Sequence, residues 1–214
     1  MKKSRRCLIK GLYAITPDEL NTAELLRKVE WVLQGGAQVL QYRNKLADSE
    51  LRVVQATELR QLTSEFSATF IVNDDVQLAN QVAADGVHLG SDDGSVAEAR
   101  WCLGNDKIIG VSCYNHIEIA QQAVQQGADY VAFGAFFSSS VKPNAPVATL
   151  ELLQQARREL SVPIVAIGGI TLQNGKQLIE AGADALAVIS AVFGATDIKQ
   201  AAQQFSTLFS ERTT

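Results

Sequence analysis

Four pentapeptides of one shape recur along the chain: Gly36-Ala37-Gln38-Val39-Leu40, Ala83-Ala84-Asp85-Gly86-Val87, Gly127-Ala128-Asp129-Tyr130-Val131 and Gly182-Ala183-Asp184-Ala185-Leu186. Each runs small residue, Ala, Asp or Gln, any residue, apolar residue. A small residue in first place suits the position just past a helix end, and the apolar residue that follows opens a strand. One such helix-to-strand turn is commonplace. Four of them, falling before every second strand, imply a quasi-fourfold βαβα construction, the layout of a closed eight-stranded (β/α)8 TIM barrel. An open, doubly wound sheet is the rival architecture for the same alternation.

The strands follow from short apolar, β-branched runs at 11–16, 39–43, 69–73, 86–90, 107–112, 130–137, 163–170 and 185–189. Helical periodicity fills the intervals near 21–35, 48–65, 75–83, 95–103, 116–127, 149–160, 174–181 and 197–210. Runs such as Phe70–Val72, Ile108–Val111 and Pro163–Ile167 are apolar without alternation, which marks strands covered on both faces in a parallel sheet. In the helix around Glu50–Ser64, Leu51, Val54 and Leu59 are expected to face inward. No Pro/Gly/Ser-rich tract divides the 214 residues, so one barrel domain over 1–214 is expected, with 1–10 as a basic extension.

Charge separates that extension from the rest. Residues 1–10 hold five of the 19 Lys and Arg and none of the 23 Asp and Glu, leaving the remainder with 14 against 23 and a net charge of −9. So acidic a body argues against nucleic acid as a partner. No apolar stretch approaches the roughly 20 residues of a membrane span, and Lys10 interrupts any signal-peptide core, so a cytoplasmic protein with no membrane partner is expected. Cys7, Cys102 and Cys113 match neither a metal cluster nor a redox pair and read as reduced thiols in or near the core.

In a barrel, chemistry gathers at the C-terminal strand ends. The second strand ends in Gln41-Tyr42-Arg43-Asn44-Lys45, where Gln41, Arg43 and Lys45 alternate and would point one way, an amide and two cations suited to phosphate oxygens. The third ends in Asn73-Asp74-Asp75 and the fourth runs into Ser91-Asp92-Asp93. Two carboxylate pairs at adjacent mouths can hold a hard divalent cation. Each pair is equally placed to cap the helix that follows it, and chemistry alone leaves open which member would take a metal. The fifth strand ends in Ser112-Cys113, and the sixth leads into Ser138-Ser139-Ser140-Val141-Lys142, hydroxyls closed by a cation. Gly168-Gly169 ends the seventh and Ile189-Ser190 the eighth, where barrels commonly bind phosphate through backbone N–H groups. His88 reads as a hydrogen-bonded strand residue, His116 as a surface or capping residue, and Cys113 lacks a nearby base.

Together these strings resemble the thiamine-phosphate synthase (thiamine-phosphate pyrophosphorylase) family. The resemblance rests on LYAIT at 12–16, GGAQVLQYRNK at 35–45, FIVNDD at 70–75, ADGVHLG with Asp93 at 84–93, IIGVS at 108–112, GADYVAFGAFF at 127–137, PIVAIGGI at 163–170 and GADALAVIS at 182–190. It implies a transferase that joins a hydroxymethylpyrimidine diphosphate to a thiazole phosphate with Mg2+, releasing thiamine phosphate and pyrophosphate. Carried over, Gln41, Tyr42, Arg43, Asn44, Lys45, Asn73, Ser112 and Lys142 contact the pyrimidine diphosphate, with Arg43, Lys45, Ser112 and Lys142 as the catalytic group. Asp74 and Asp93 become the Mg2+ ligands, and Ser139, Ser140, Val141, Gly169, Ile189 and Ser190 surround the thiazole phosphate. The chain departs from the family pattern at Val141, where a hydroxyl is usual. Two other readings are a thiazole tautomerase-like isomerase, against which the full diphosphate set and the absence of histidine after His116 speak, and a non-catalytic phosphate-binding relative. A homo-oligomer is compatible with the sequence, which does not specify one.

Overall fold

A computed structural model describes residues 8–90, 93–137 and 148–210. Eight parallel strands close a barrel in sequence order. They are β1 (Gly11–Ile15), β2 (Val39–Tyr42), β3 (Thr69–Asn73), β4 (Gly86–Leu89), β5 (Ile108–Tyr114), β6 (Tyr130–Phe133), β7 (Ile164–Ile167) and β8 (Ala185–Val188), with β8 pairing back onto β1. The helices are α1 (Thr22–Gln34), α2 (Ser49–Glu65), α3 (Val76–Gln81), α4 (Val96–Leu103), α5 (Ile117–Gln125), α6 (Leu150–Glu159), α7 (Leu172–Ala181), α8 (Ser190–Phe193) and α9 (Ile198–Ser210). The barrel is the expected TIM architecture, and its closure excludes the open sheet.

The pentads carry the closure. Their lead residues Gly36, Ala83, Gly127 and Gly182 all take positive φ, at 94°, 51°, 95° and 123°, so each helix ends in a left-handed residue and the next strand starts at once. In three repeats the third residue ties the strand before it. Asp85 accepts from the Phe70 N–H and pairs with Arg60 at 3.1 Å. Asp129 accepts from Ile109 N–H and pairs with Arg100 at 2.6 Å. Asp184 accepts from Ile164 N–H and pairs with Arg157 at 3.0 Å. These clamps sit at the N-terminal end of the barrel, the end that in this architecture serves stability.

Side chains from alternate strand positions fill the lumen with Tyr13, Ile15, Val39, Ile71, Ile108, Tyr130, Val165 and Ala185, while the other alternation packs beneath the helices. Gly110 is required there, because any Cβ would overlap the Tyr130 ring. Both faces of every strand are therefore covered, as the non-alternating runs imply.

Several boundaries differ from the sequence reading. β6 ends at Phe133 rather than 137, because the chain turns across the end of β7 and Phe136 and Phe137 donate to Ile167 O and Gly168 O. α7 begins at Leu172, two residues early, with Asn174 Oδ1 accepting from the Thr171 N–H. α8 was not expected, since four residues are too few to show a period. On α2, Leu59 is buried but Val54 is exposed, and the inward stripe instead includes Gln55. Gln55 lies four residues from Leu51 and from Leu59, whereas Val54 lies off that line.

Candidate active site

The C-terminal end of β2 is held by the loop after β1. Thr16 Oγ1 donates to Arg43 O and accepts from Arg43 N–H, both at 2.8 Å, and Asp18 Oδ1 accepts from the Lys45 N–H at 2.6 Å. Asp18 also lies 3.5 Å from the Arg43 guanidinium. These contacts leave Arg43 half-buried and Lys45 exposed, both cations at the mouth. Neither Thr16 nor Asp18 was expected from sequence; LYAIT followed by Pro17-Asp18 carries the signal only once β1 and β2 are known to be neighbours.

Alternation does not aim Gln41, Arg43 and Lys45 alike, because β2 ends at Tyr42. Gln41 is buried in the lumen, where its Nε2 donates to the Tyr13 hydroxyl at 2.9 Å. Tyr42 and Asn44 line the cavity at this strand end, while their polar side-chain atoms are hydrogen-bonded within the protein. The Tyr42 ring lies in the outer core and its hydroxyl donates to Gln55 Oε1 at 2.9 Å. Asn44 ties its loop to its neighbours: its Nδ2 donates to Gln55 Oε1 on α2 and to Glu19 O in the segment after β1, and its Oδ1 accepts from the N–H groups of Leu46 and Ala47. Both residues hold the Arg43–Lys45 segment in place.

The structure separates Asp74 from Asp75. Asp75 is the N-cap of α3 and accepts from Leu78 N–H, so capping accounts for it. α4 is capped by Ser95, which leaves Asp93 for other work; its Oδ2 accepts from Gly90 N–H at 2.9 Å. Asp74 has φ 63° and hydrogen-bonds with Asp93 across the ends of β3 and β4. Burial, then the hydrogen bond and charge of Asp93, push the Asp74 carboxyl up to about 6, while Lys45 and Arg43 pull it back. Two carboxyls forced to share a site are a ready pair of ligands for a divalent cation, and Arg43 and Lys45 line the same cavity as Asp74. Paired carboxylate oxygens are the donor chemistry that suits Mg2+, an ion that keeps several waters of its own. Asp92 lies outside the described residues.

Beside the pair, a cavity of about 300 Å³ is lined by Arg43, Lys45, Arg52, Asn73, Asp74 and Asp75 among others. Arg52 was not expected from sequence. It reaches in from α2, with NH1 3.9 Å from Asp75 and its Nε buried without a hydrogen-bond partner.

Across the mouth, Ser112 is half-buried on β5 and lies 2.9 Å from His88 Nε2. His88 is the hydrogen-bonded strand residue expected; burial pushes its pKa down to about 4, against the pull of Asp93, so it is neutral at physiological pH. His116 is the N-cap of α5 but makes no side-chain cap bond. Cys113 is buried and its thiol is pushed up to about 12 by desolvation, which disqualifies it as a nucleophile.

Gly169 and Ser190 stand at the ends of adjacent strands β7 and β8, Ser190 exposed as the first residue of α8 and Ile189 half-buried before it. The Gly168-Gly169 pair has a packing cause beyond any ligand: both have positive φ, and a Cβ on Gly169 would sit 2.6 Å from Phe137 O. Ser139, Ser140, Val141 and Lys142 lie outside the described residues. So does Cys7. Among the described residues, no helix is long and apolar enough to cross a membrane.

Residues 12–192 match the family model described as thiamine monophosphate synthase. A thiamine-phosphate synthase of Methylobacillus flagellatus is 57% identical over 201 residues, covering 94% of this chain and 96% of that protein. One from an Azoarcus species is also 57% identical, covering 94% and 98%. Among solved structures, the thiamine phosphate pyrophosphorylase of Pyrococcus furiosus superposes with a TM-score of 0.87 at 37% identity, covering 98% of this chain and 99% of that one.

Proposed function

The chain belongs to the thiamine monophosphate synthase family, and from that premise we propose how its barrel mouth carries out the condensation. The activity is thiamine-phosphate synthesis, a transferase reaction. The proposed substrates are 4-amino-2-methyl-5-(diphosphooxymethyl)pyrimidine and 4-methyl-5-(2-phosphooxyethyl)thiazole, and the proposed products are thiamine phosphate and pyrophosphate.

The observation that carries the reading is the convergence of Asp74 with Asp93 opposite Arg43 and Lys45. Asp74 and Asp93 would hold Mg2+, which when bound offsets negative charge on the diphosphate oxygens. Arg43 supplies a planar fork and Lys45 a point charge to the same group. Asn73, half-buried at the end of β3, would flank it. Gln41 and Ser112, further down the lumen, take the pyrimidine end. On the opposite side Gly169, Ile189 and Ser190 receive the thiazole phosphate through backbone N–H groups and a hydroxyl. Lys142 and the Ser139–Val141 segment complete the assignment by resemblance alone.

The step proposed is dissociative. The bond between the pyrimidine methylene carbon and the diphosphate oxygen breaks, and its electron pair leaves with pyrophosphate. The thiazole nitrogen lone pair then forms the new bond to that carbon, giving the thiazolium of thiamine phosphate. The protein's part is to stabilise charge growing on the leaving group, so Arg43 and Lys45 act where the charge develops and no protein nucleophile is called for. The buried Cys113 thiol and neutral His88 are in keeping with this. Incubating the purified protein with both phosphorylated halves and Mg2+ tests the reading: thiamine phosphate and pyrophosphate are expected in equal amounts, and product no higher than a no-enzyme control refutes it.

A further inference from the structure

A polar chain crosses the barrel lumen and ends on two residues of the proposed site. Gln41 Nε2 donates to the Tyr13 hydroxyl at 2.9 Å, and the hydroxyls of Tyr13 and Tyr130 are 2.8 Å apart. Tyr130 lies 2.9 Å from His88 Nδ1, and His88 Nε2 lies 2.9 Å from Ser112 Oγ. Five strands, β2, β1, β6, β4 and β5, each contribute one member. Such a string in an otherwise apolar lumen is costly unless every group is paired, and these five are.

Counting hydrogens gives the chain a direction. The Tyr13 oxygen already accepts from Gln41. Were Tyr130 to donate to Tyr13 as well, the Tyr13 proton would find no acceptor in the chain, deep in the lumen where an unpaired donor is penalised most. Tyr13 therefore donates to Tyr130, and Tyr130 donates to His88 Nδ1. A neutral imidazole that accepts at Nδ1 carries its proton on Nε2, and that proton goes to Ser112 Oγ. Every hydrogen inside the lumen is then used, and the Ser112 hydroxyl proton is the one left over.

We infer that Tyr13, Tyr130 and His88 form a positioning relay that fixes the sense of hydrogen bonding between Gln41 and Ser112, presenting an acceptor at Gln41 Oε1 and a donor at the Ser112 hydroxyl. An aminopyrimidine offers an amine donor together with ring-nitrogen acceptors, and its diphosphate offers further acceptors, so a site with one acceptor and one donor in set places matches it. The inference rests on Gln41 and Ser112 being pyrimidine diphosphate contacts. The reverse polarity would turn the Ser112 proton inward to His88 and remove the donor.

The direction is read most directly from the imidazole. The chain has two histidines, so long-range ¹H–¹⁵N spectra of labelled protein, with His116→Asn to assign them, report the His88 tautomer. Protonated Nε2 with bare Nδ1 is expected; a proton on Nδ1 overturns the relay whatever the enzyme's activity. Tyr130→Phe removes the donor to Nδ1. It should mix the two tautomers and raise KM for the pyrimidine diphosphate about two- to tenfold, the effect of one neutral hydrogen bond, with KM for the thiazole phosphate unchanged. Equal rises in both KM values, or an unchanged tautomer, refute it. Should that variant fail to fold, Tyr13→Phe leaves the Tyr130–His88 bond intact and should keep the Nε2 proton while still raising the pyrimidine KM. A wild-type protein that makes no thiamine phosphate would sink the proposed function, while the spectra would still decide the relay.

Discussion

Replacing Asp74 by Asn should make the metal-free protein more stable and much less active. In the folded chain the Asp74 carboxyl is raised from an ordinary 3.8 to about 6, chiefly by burial and then by Asp93. A carboxylate so raised contributes its full stability only below its unfolded pKa, and that contribution is lost as pH rises through 6. Two pK units correspond to about 3 kcal/mol, and solvent screening of a half-buried group reduces this to about 1–2 kcal/mol. For a chain of this size that is a melting temperature higher by about 3–6 °C at pH 7.5. Asn tolerates the positive φ at position 74 and can donate to Asp93, so neither backbone strain nor a lost contact should hide the gain. The gain should be markedly smaller at pH 4.5, where folded wild-type Asp74 is already protonated, and should vanish only below the unfolded value of 3.8, where both states are protonated. Mg2+ should stabilise the wild type at pH 7.5 and leave the variant unmoved. Turnover should fall by about a hundredfold or more, since charge stabilisation at a metal site is worth several kcal/mol. Calorimetric melts at the two pH values decide the matter. A variant no more stable than wild type at pH 7.5, or a gain undiminished at pH 4.5, would show that burial and Asp93 do not raise the Asp74 carboxyl as described.

Other consequences are simpler to check. Arg43→Ala should lower kcat/KM roughly ten- to a hundredfold, the effect of one or two charged hydrogen bonds, with little change in the melt because the side chain sits at the mouth; a normal rate would remove Arg43 from the site. Asp93→Ala should abolish turnover with the barrel intact by circular dichroism, and a normal rate would refute its role as a ligand. Asp129→Ala, at the opposite end, should leave Ile109 N–H and Arg100 underbonded, costing about 2 kcal/mol and roughly 4–8 °C in melting temperature with kcat unchanged; a drop in kcat with an unchanged melt would contradict that placement. Cys113 should resist alkylation at neutral pH until the chain unfolds, and labelling of the folded protein at that residue would refute its burial.

What the sequence disclosed depended on whether the deciding interaction was local. The pentads are local: a left-handed residue after a helix and an apolar residue opening a strand are written in five consecutive positions, so the barrel was legible. The Asp85, Asp129 and Asp184 clamps were not, because each joins its pentad to an arginine 25 to 29 residues away. Asp74 and Asp75 are neighbours with opposite fates, one capping α3 and the other meeting Asp93, and only the structure shows which backbone turn sends each where. Alternation at Gln41, Arg43 and Lys45 misled because a strand pattern was extended past Tyr42, where β2 stops. His88 could be placed on a strand from its neighbours, yet its link to Ser112 and Tyr130 required knowing that β4 and β6 flank β5.

The proposed diphosphate site lies where β2, β3 and β4 end. A crystal structure of the protein with Mg2+ and pyrophosphate would locate both ligands. The metal should lie between Asp74 and Asp93, with pyrophosphate oxygens on Arg43 and Lys45. A metal bound by Asp75 in place of Asp74, or pyrophosphate seated away from both cations, would contradict that placement.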